Sequence, residues 1–456
     1  MATVTCFTIR GLIIKTFLYM RTNGRNAVSA NFGLGLLLFC GISAVPSGAD
    51  AKQDETLHVF AAKSGEYSGP RAGLIEGPTG VLYGAWTGST NPKQSHGQVF
   101  SLTPPPHGKH LWAYAVLHNF KGNDDGRRPY SGVVLDSSGA LYGTTSSSGG
   151  RLSGPSQVFK LTPPAAGQTA WTETVLYTFP SEVDPYGALL LSPDGALYGT
   201  AALGGSASKG QVFELTPSKG ANAGWTETTL YSFQGGVDGA SPQSALIQDS
   251  SGALYGTTVQ GGGGTGPTCQ KMGCGTVFRL TPPSAGGAAW NESLLYIFSG
   301  GTDGANPQDS LVLSSTGTFY GTTVSGGTGQ GVVFALSPPP AGQTSWVEVP
   351  IETFPFTGVV GGDPYSGLVL SVNGFLFGTT SAGGGANGVC CGTVFQLQPP
   401  PGGQTAWTIT TLAVLPGPQD ELPEGNLLLD AAGNLYGTTV FGGKANGGTV
   451  FEIKSK

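Results

Sequence analysis

The side chains in this sequence best suited to chemistry occur singly, each directly after a proline. Three residues separate each proline from the first large apolar residue of a short strand-like run. The prolines are Pro70, Pro129, Pro185, Pro242, Pro307, Pro364 and Pro423, and the residues after them are Arg71, Tyr130, Tyr186, Gln243, Gln308, Tyr365 and Glu424. Tyrosine faces for stacking and amides for bonding hydroxyls are what a sugar requires. The plainer alternative is that these side chains only fill a narrow opening. A second set, Asp125, Asp184, Asp238, Asp303, Asp363 and Asp420, stands in the links just before the prolines. A carboxylate of that set facing Glu424 would make the acid–base pair of a hydrolase or lyase acting on polysaccharide or lactone. The same aspartates could hold Ca²⁺ together, although Asp-Gly in a loop ordinarily closes an Asx-type turn. No other cofactor is expected.

Other reactive constellations are poorly supported. There is no G-x-S-x-G elbow, no H-E-x-x-H pair and no P-loop lysine. The five histidines, at 58, 96, 107, 110 and 118, all fall in the first 118 residues. Cys269, Cys274, Cys390 and Cys391 lie in loops just before Gly-Thr-Val-Phe runs or their near copies, with no histidine close in sequence. Loop disulfides are therefore expected rather than a metal site. Cys269–Cys274 would pin a long glycine-rich insertion. Cys390 and Cys391 would form a vicinal bridge or be cross-linked elsewhere.

What positions these residues is a repeat. Leu-Tyr-Gly or a near copy occurs seven times, with its central aromatic at Tyr83, Tyr142, Tyr198, Tyr255, Tyr320, Phe377 and Tyr436. The intervals are 59, 56, 57, 65, 57 and 59 residues. Each unit runs through an apolar segment, a turn such as Asp136-Ser137-Ser138-Gly139, ALYGTT, GTVFxLTP and WTETxLYxF. The pieces are short, rich in aromatic and β-branched residues, and bounded by Gly, Pro, Asp or Ser, which is the signature of strands. With 77 Gly and 32 Pro in 456 residues, a helical bundle is excluded. A net charge of −6 without a basic block speaks against nucleic acid.

Four antiparallel strands repeated seven times predict an all-β fold, a seven-bladed β-propeller. The last strand carries Trp-x7-Phe at Trp112/Phe120, Trp171/Phe179, Trp225/Phe233, Trp290/Phe298 and Trp346/Phe354, with Trp407/Leu415 as the sixth. The seventh is missing from the C-terminal end and reappears at the front as Leu57-His58-Val59-Phe60. The N-terminal strand, counted back to Lys52, is therefore expected to complete the last blade and remove two exposed sheet edges. The tryptophans could form an outer sugar-binding girdle, but their regularity favours packing. The box Ser-x-Asp-x-Gly-x-Thr-Trp of sialidase propellers is absent, since Ser192-Pro193-Asp194-Gly195 departs from it at once.

Residues 1–51 read differently. Arg10, Lys15, Arg21 and Arg25 precede an apolar stretch, Phe32 to Val45, and then Ala49-Asp50-Ala51. A basic segment, a short apolar segment and an A-x-A site predict a signal peptide, cleaved with Cys6 and Cys40, with Met20 as the start. The apolar stretch is too short for a membrane span. Residues 52–456 are then one secreted or periplasmic domain.

The motif G-x-L-Y-G-T-T…G-T-V-F-x-L-T-P, as in Leu254-Tyr255-Gly256-Thr257-Thr258 with Gly275-Thr276-Val277-Phe278, resembles the GloVer tandem-repeat family of exported bacterial proteins. It spans essentially all of residues 52–456. The resemblance implies a secreted or surface propeller and supplies no catalytic residues. The hairpins are also similar to those of NHL-type propellers. The expectation is thus a non-enzymatic propeller binding a glycan or an extracellular protein through the residues after the prolines, with the hydrolase or lyase as alternative.

Overall fold

The computed structural model describes residues 54–455 apart from 62–68, 89–94, 107–110, 123–124, 147–154, 219–223, 267, 270–271, 285–286, 288, 356–359, 385–390, 403, 416–421 and 444–445. The leader with Met20, and also Lys52, His107, His110, Cys390 and Asp420, lie outside the described residues. The described strands fall into seven antiparallel sheets, the blades of a seven-bladed β-propeller. Strand order within a blade follows the chain: Val312–Leu313, Phe319–Thr323, Gly329–Ser337 and Val347–Pro355 lie side by side in the fifth. The third blade adds a short pairing of Asp184–Pro185 with Leu197–Leu203.

Local chemistry explains the hairpins. In the fourth blade Gly252 takes φ 84° in the turn, a conformation natural to glycine. Asp249 Oδ1 accepts N–H bonds from Ser251 at 2.8 Å and Ala253 at 3.0 Å, and Tyr255 Oη donates to Asp249 Oδ2 at 2.8 Å. Burial alone would raise the Asp249 pKa, but these donors outweigh it and hold the carboxyl below its ordinary value. The tyrosine of Leu-Tyr-Gly thus ties its strand to the preceding turn. The glycine beside it gives room to a phenylalanine: a Cβ on Gly256 would lie 2.7 Å from Phe278 Cζ.

The innermost strands are only two residues long, shorter than the five-residue apolar runs suggested. Carbonyls just ahead of them accept hydrogen bonds from threonines of the preceding blade. Thr200 Oγ1 donates to Ser244 O at 2.8 Å, Thr322 Oγ1 to Ser366 O at 2.8 Å, and Thr438 Oγ1 to Ala72 O at 3.0 Å.

Apolar contacts close the same seams. Phe120 meets Phe159, Phe179 meets Phe213, Phe233 meets Phe278 and Phe298 meets Phe334, with ring centroids 5.1, 5.0, 5.2 and 5.2 Å apart in edge-on geometry. Each ring is 4% exposed or less, so each contributes about 1.5–3 kcal/mol by burial alone. The tryptophans lie edge-on against tyrosines of preceding blades, Trp171 on Tyr83 and Trp290 on Tyr198 at 6.3 Å, Trp407 on Tyr320 at 5.7 Å. They pack the seams.

The ring closes as the register required. Asp54–Val59 pairs antiparallel with Thr449–Ile453 and so becomes the outer strand of the blade containing Leu428–Leu429 and Leu435–Thr439. Phe60 N donates to Gly448 O at 2.9 Å, as Phe233 N does to Gly210 O at 3.0 Å. Its ring lies 5.1 Å from Phe100 of the first blade, repeating the Phe–Phe contact of the other seams.

Candidate functional site

The links that enter each blade pair with glycine-rich loops on the same end of the propeller, through bridges Ala240↔Gln260, Ala305↔Ser325 and Gly362↔Ala382. Each of the seven prolines is buried. Pro307 sits so close to Gly275 of the preceding blade that a Cβ there would fall 2.7 Å from its Cδ, and Pro70 stands likewise against Gly448 at 2.8 Å. With φ fixed by its ring and its back against a glycine, the proline sets where the next residue goes. All seven of those residues line one cavity of about 500 Å³. They are half-buried, and its size falls within the range usual for small-ligand sites.

The two sides of this ring differ. Across the seventh to third blades runs a chain of mutual contacts. Arg71 Nη1 donates to Glu424 Oε2 as an ion pair. The Arg71 guanidinium lies 5.5 Å from the Tyr130 ring centre, and that of Arg128 lies 4.9 Å from it. Arg128 Nη2 also donates to Tyr130 Oη at 2.6 Å. Tyr130 and Tyr186 rings stand 4.9 Å apart at 33°. Burial pushes the Glu424 carboxyl up, and Arg71 offsets part of that. Burial, then the neighbouring Tyr130 and Asp184, push the Tyr186 hydroxyl well above the ordinary phenol range, with Arg71 opposing.

On the other side the groups are less engaged. Gln243 Nε2 donates to Ser241 Oγ at 3.3 Å. Among the described residues the Gln308 side chain has no hydrogen-bond partner and the Tyr365 ring no aromatic contact. Burial, followed by Asp363 and Glu424, raises the Tyr365 hydroxyl, which therefore stays a donor at neutral pH.

Two lining residues escaped the sequence reading. In the second position after the proline, six blades carry Ala72, Ser131, Gly187, Ser244, Ser366 and Gly425, and the fifth carries Asp309. In the third position, six carry Gly73, Gly132, Ala188, Ala245, Ser310 and Gly367, and the seventh carries Asn426. The exceptions meet: Asn426 Nδ2 donates to Asp309 Oδ1 and to Ser310 Oγ, both at 3.2 Å. A register comparison carried two residues further would have found both.

The aspartates of the links close turns. Asp238 accepts from Gln234 N at 2.7 Å and Gly236 N at 3.2 Å, and Asp303 from Ser299 N at 2.6 Å and Gly301 N at 3.1 Å. Asp125 accepts from Lys121 N at 3.0 Å, whereas Asp184 accepts from Ser146 Oγ at 2.6 Å. Among the described residues no group of three or more His, Cys, Asp or Glu is placed to hold a metal. Cys269 and Cys274 form a buried disulfide with Cα atoms 4.5 Å apart. Cys391 is disulfide-bonded as well, and its expected partner Cys390 lies outside the described residues. Away from the mouth, His58 stacks on Tyr114 at 3.8 Å, and His118 Nε2 lies 3.5 Å from Asp125 Oδ2. No helix among the described residues is long and apolar enough to cross a membrane.

A model of the Gloeobacter/Verrucomicrobia repeat matches residues 46–269 and again residues 264–456. The chain belongs to the Gloeobacter/Verrucomicrobia repeat family. In this Gloeobacter/Verrucomicrobia repeat protein the shared motif thus builds seams and turns, and the mouth is where the blades differ. No curated protein matches the sequence. Solved structures are similar at low identity. The periplasmic gluconolactonase of Pseudomonas aeruginosa is similar at 14% identity and TM-score 0.48, covering 82% of this chain and 96% of that one. The family AA12 carbohydrate-active enzyme of Trichoderma reesei is similar at 13% and 0.41, covering 89% and 96%. The soluble aldose sugar dehydrogenase of Escherichia coli is similar at 12% and 0.38, covering 73% and 98%.

Proposed function

We propose that residues 1–51 export the chain and that residues 52–456 act as a secreted or periplasmic binding propeller without enzymatic activity. Its ligand is a glycan, held at the mouth by the residues that follow the seven prolines. One observation carries this reading: those seven positions vary in chemistry inside a scaffold that otherwise repeats, and they line a single cavity. Variable groups on a rigid repeated frame are how propellers and other scaffolds carry recognition. A glycan array probed with purified residues 52–456 tests it. Selective signal supports a glycan ligand, and complete silence overturns it in favour of an extracellular protein partner.

One feature favours a second reading. Glu424 lies in the cavity with its carboxyl raised by burial, as a proton donor of a hydrolase or lyase would require. Glu424→Gln separates the two. A binding protein loses affinity modestly, whereas an enzyme acting on polysaccharide or lactone loses turnover by orders of magnitude.

A further inference from the structure

We infer that Asp309, held in place by Asn426, selects the ligand by accepting two adjacent hydroxyls of a non-acidic sugar ring stacked on Tyr365. This rests on the reading of the mouth as a glycan site and names the class of glycan end it takes.

The argument begins with how the carboxylate is held. Asp309 Oδ1 accepts from Ser310 N at 2.5 Å, from Ser310 Oγ at 3.1 Å and from Asn426 Nδ2 at 3.2 Å. Asn426 is itself fixed, because its Oδ1 accepts the Gly367 N–H at 2.6 Å. That bond, between the sixth and seventh blades, settles which end of the amide points at Asp309, and the Asn426–Asp309 contact reaches over the sixth blade to the fifth. One carboxylate oxygen is thereby saturated, and the other, Oδ2, has no partner among the described residues. Asp309 lines the cavity and is half-buried. An oriented carboxylate oxygen with two open lone-pair sites matches the two O–H donors of a vicinal diol.

Charge narrows the class. The lining carries two carboxylates, Asp309 and Glu424, against one guanidinium, Arg71, and so opposes an anion. Arg71 is already engaged by Glu424 and Tyr130, so it is not available to pair with an acidic sugar. A sugar without an acid group is what remains. Next to Asp309 in the chain stands the unpartnered amide of Gln308, and the following blade supplies Tyr365, both lining the same cavity. A carboxylate, an amide and an aromatic face supply the three contacts a neutral pyranose uses. On the opposite side Tyr130 has its ring occupied by Arg71, Arg128 and Tyr186.

The test is saturation-transfer NMR and titration calorimetry on residues 52–456. The probes are methyl glucoside, methyl mannoside and methyl galactoside (uncharged), glucosamine (cationic) and glucuronate (anionic). Wild type is expected to bind at least one methyl glycoside in preference to glucuronate, with glucosamine not excluded by charge. Asp309→Asn, which keeps shape and removes acceptor capacity, should weaken that binding about tenfold or more. Asn426→Ala should weaken it less, and Asp309→Ser repeats the loss should the asparagine variant misfold. Wild type binding with Asp309→Asn unchanged would overturn the inference and leave the glycan reading standing. Preference for glucuronate would overturn the non-acidic class. Failure of wild type to bind any of the five would overturn the inference, and the array result then decides the glycan reading independently.

Discussion

At the seams the same pairs recur: Phe179 on Phe213, Phe233 on Phe278, Phe298 on Phe334, each beside a threonine or proline contact. At the mouth no residue recurs in every blade: three tyrosines and two glutamines share the position after the proline with Arg71 and Glu424. Both regions are drawn from the same repeat, so the difference reflects what each position is asked to do. Seam residues face a phenylalanine in every blade, and one solution serves six times, with Leu415 at the seventh seam. Mouth residues face a shared central space that is not seven-fold. Recurrence therefore marks stability, and under the proposed function departure from recurrence marks recognition.

The strongest way to break that comparison is at the closing seam. Phe60→Ala should cost about 3–5 kcal/mol in a urea titration, because the ring is 2% exposed and fills the last Phe–Phe contact. Deleting residues 52–60 should open the ring and produce aggregates in size-exclusion chromatography. A monomeric deletion variant with unchanged melting would refute closure by the N-terminal strand.

A smaller loss should follow from Gly256→Ala. The new methyl would need the space of the Phe278 ring, which is fully buried, and overpacking of this kind costs about 1–3 kcal/mol. An unchanged denaturation midpoint would show that the Leu-Tyr-Gly glycine has another reason.

The outer seams also carry a pH dependence. Burial first, and then Asp303, raise Glu348 to about 8, with Tyr296 partly offsetting; burial and then Asp238 raise Glu292 to about 7. Tyr296 Oη donates to Asp303 Oδ2 at 3.1 Å and stands 3.5 Å from Glu348 Oε2, so a protonated Glu348 can donate back to it. Both folded values exceed the unfolded value of 4.5, so the folded state binds the extra protons. Their stabilisation is complete below about pH 4.5 and is lost as pH rises through 7 to 8. The urea midpoint should fall between pH 5 and pH 8.5, on the order of the 7–8 range where these groups lose their protons, and Glu348→Gln should flatten the fall. A flat wild-type profile would show that these carboxyls stay ionised.

Much of this was legible from residue order. A strand that recurs seven times announces itself, and the Trp-x7-Phe count placed Phe60 in its observed register. The proline register likewise led to residues that line one cavity. What stayed hidden is what repetition cannot encode. The Asn426–Asp309 contact joins residues 117 apart over an intervening blade. Arg128, which occupies Tyr130, stands one residue before its proline, at φ 51°, where neither its type nor its spacing singled it out. The short inner strands and the threonine bonds between blades were hidden as well, because hydrophobic pattern reveals neither.

The smallest expected change in stability belongs to the mouth, and it tests the comparison most directly. Melting temperature and glycan-array signal should be measured on the same preparation of Tyr365→Ala. The account predicts stability within about 0.5 kcal/mol of wild type together with loss of array signal. A variant that melts several degrees lower yet keeps its signal would contradict it, and would make the ring a packing element like the seams.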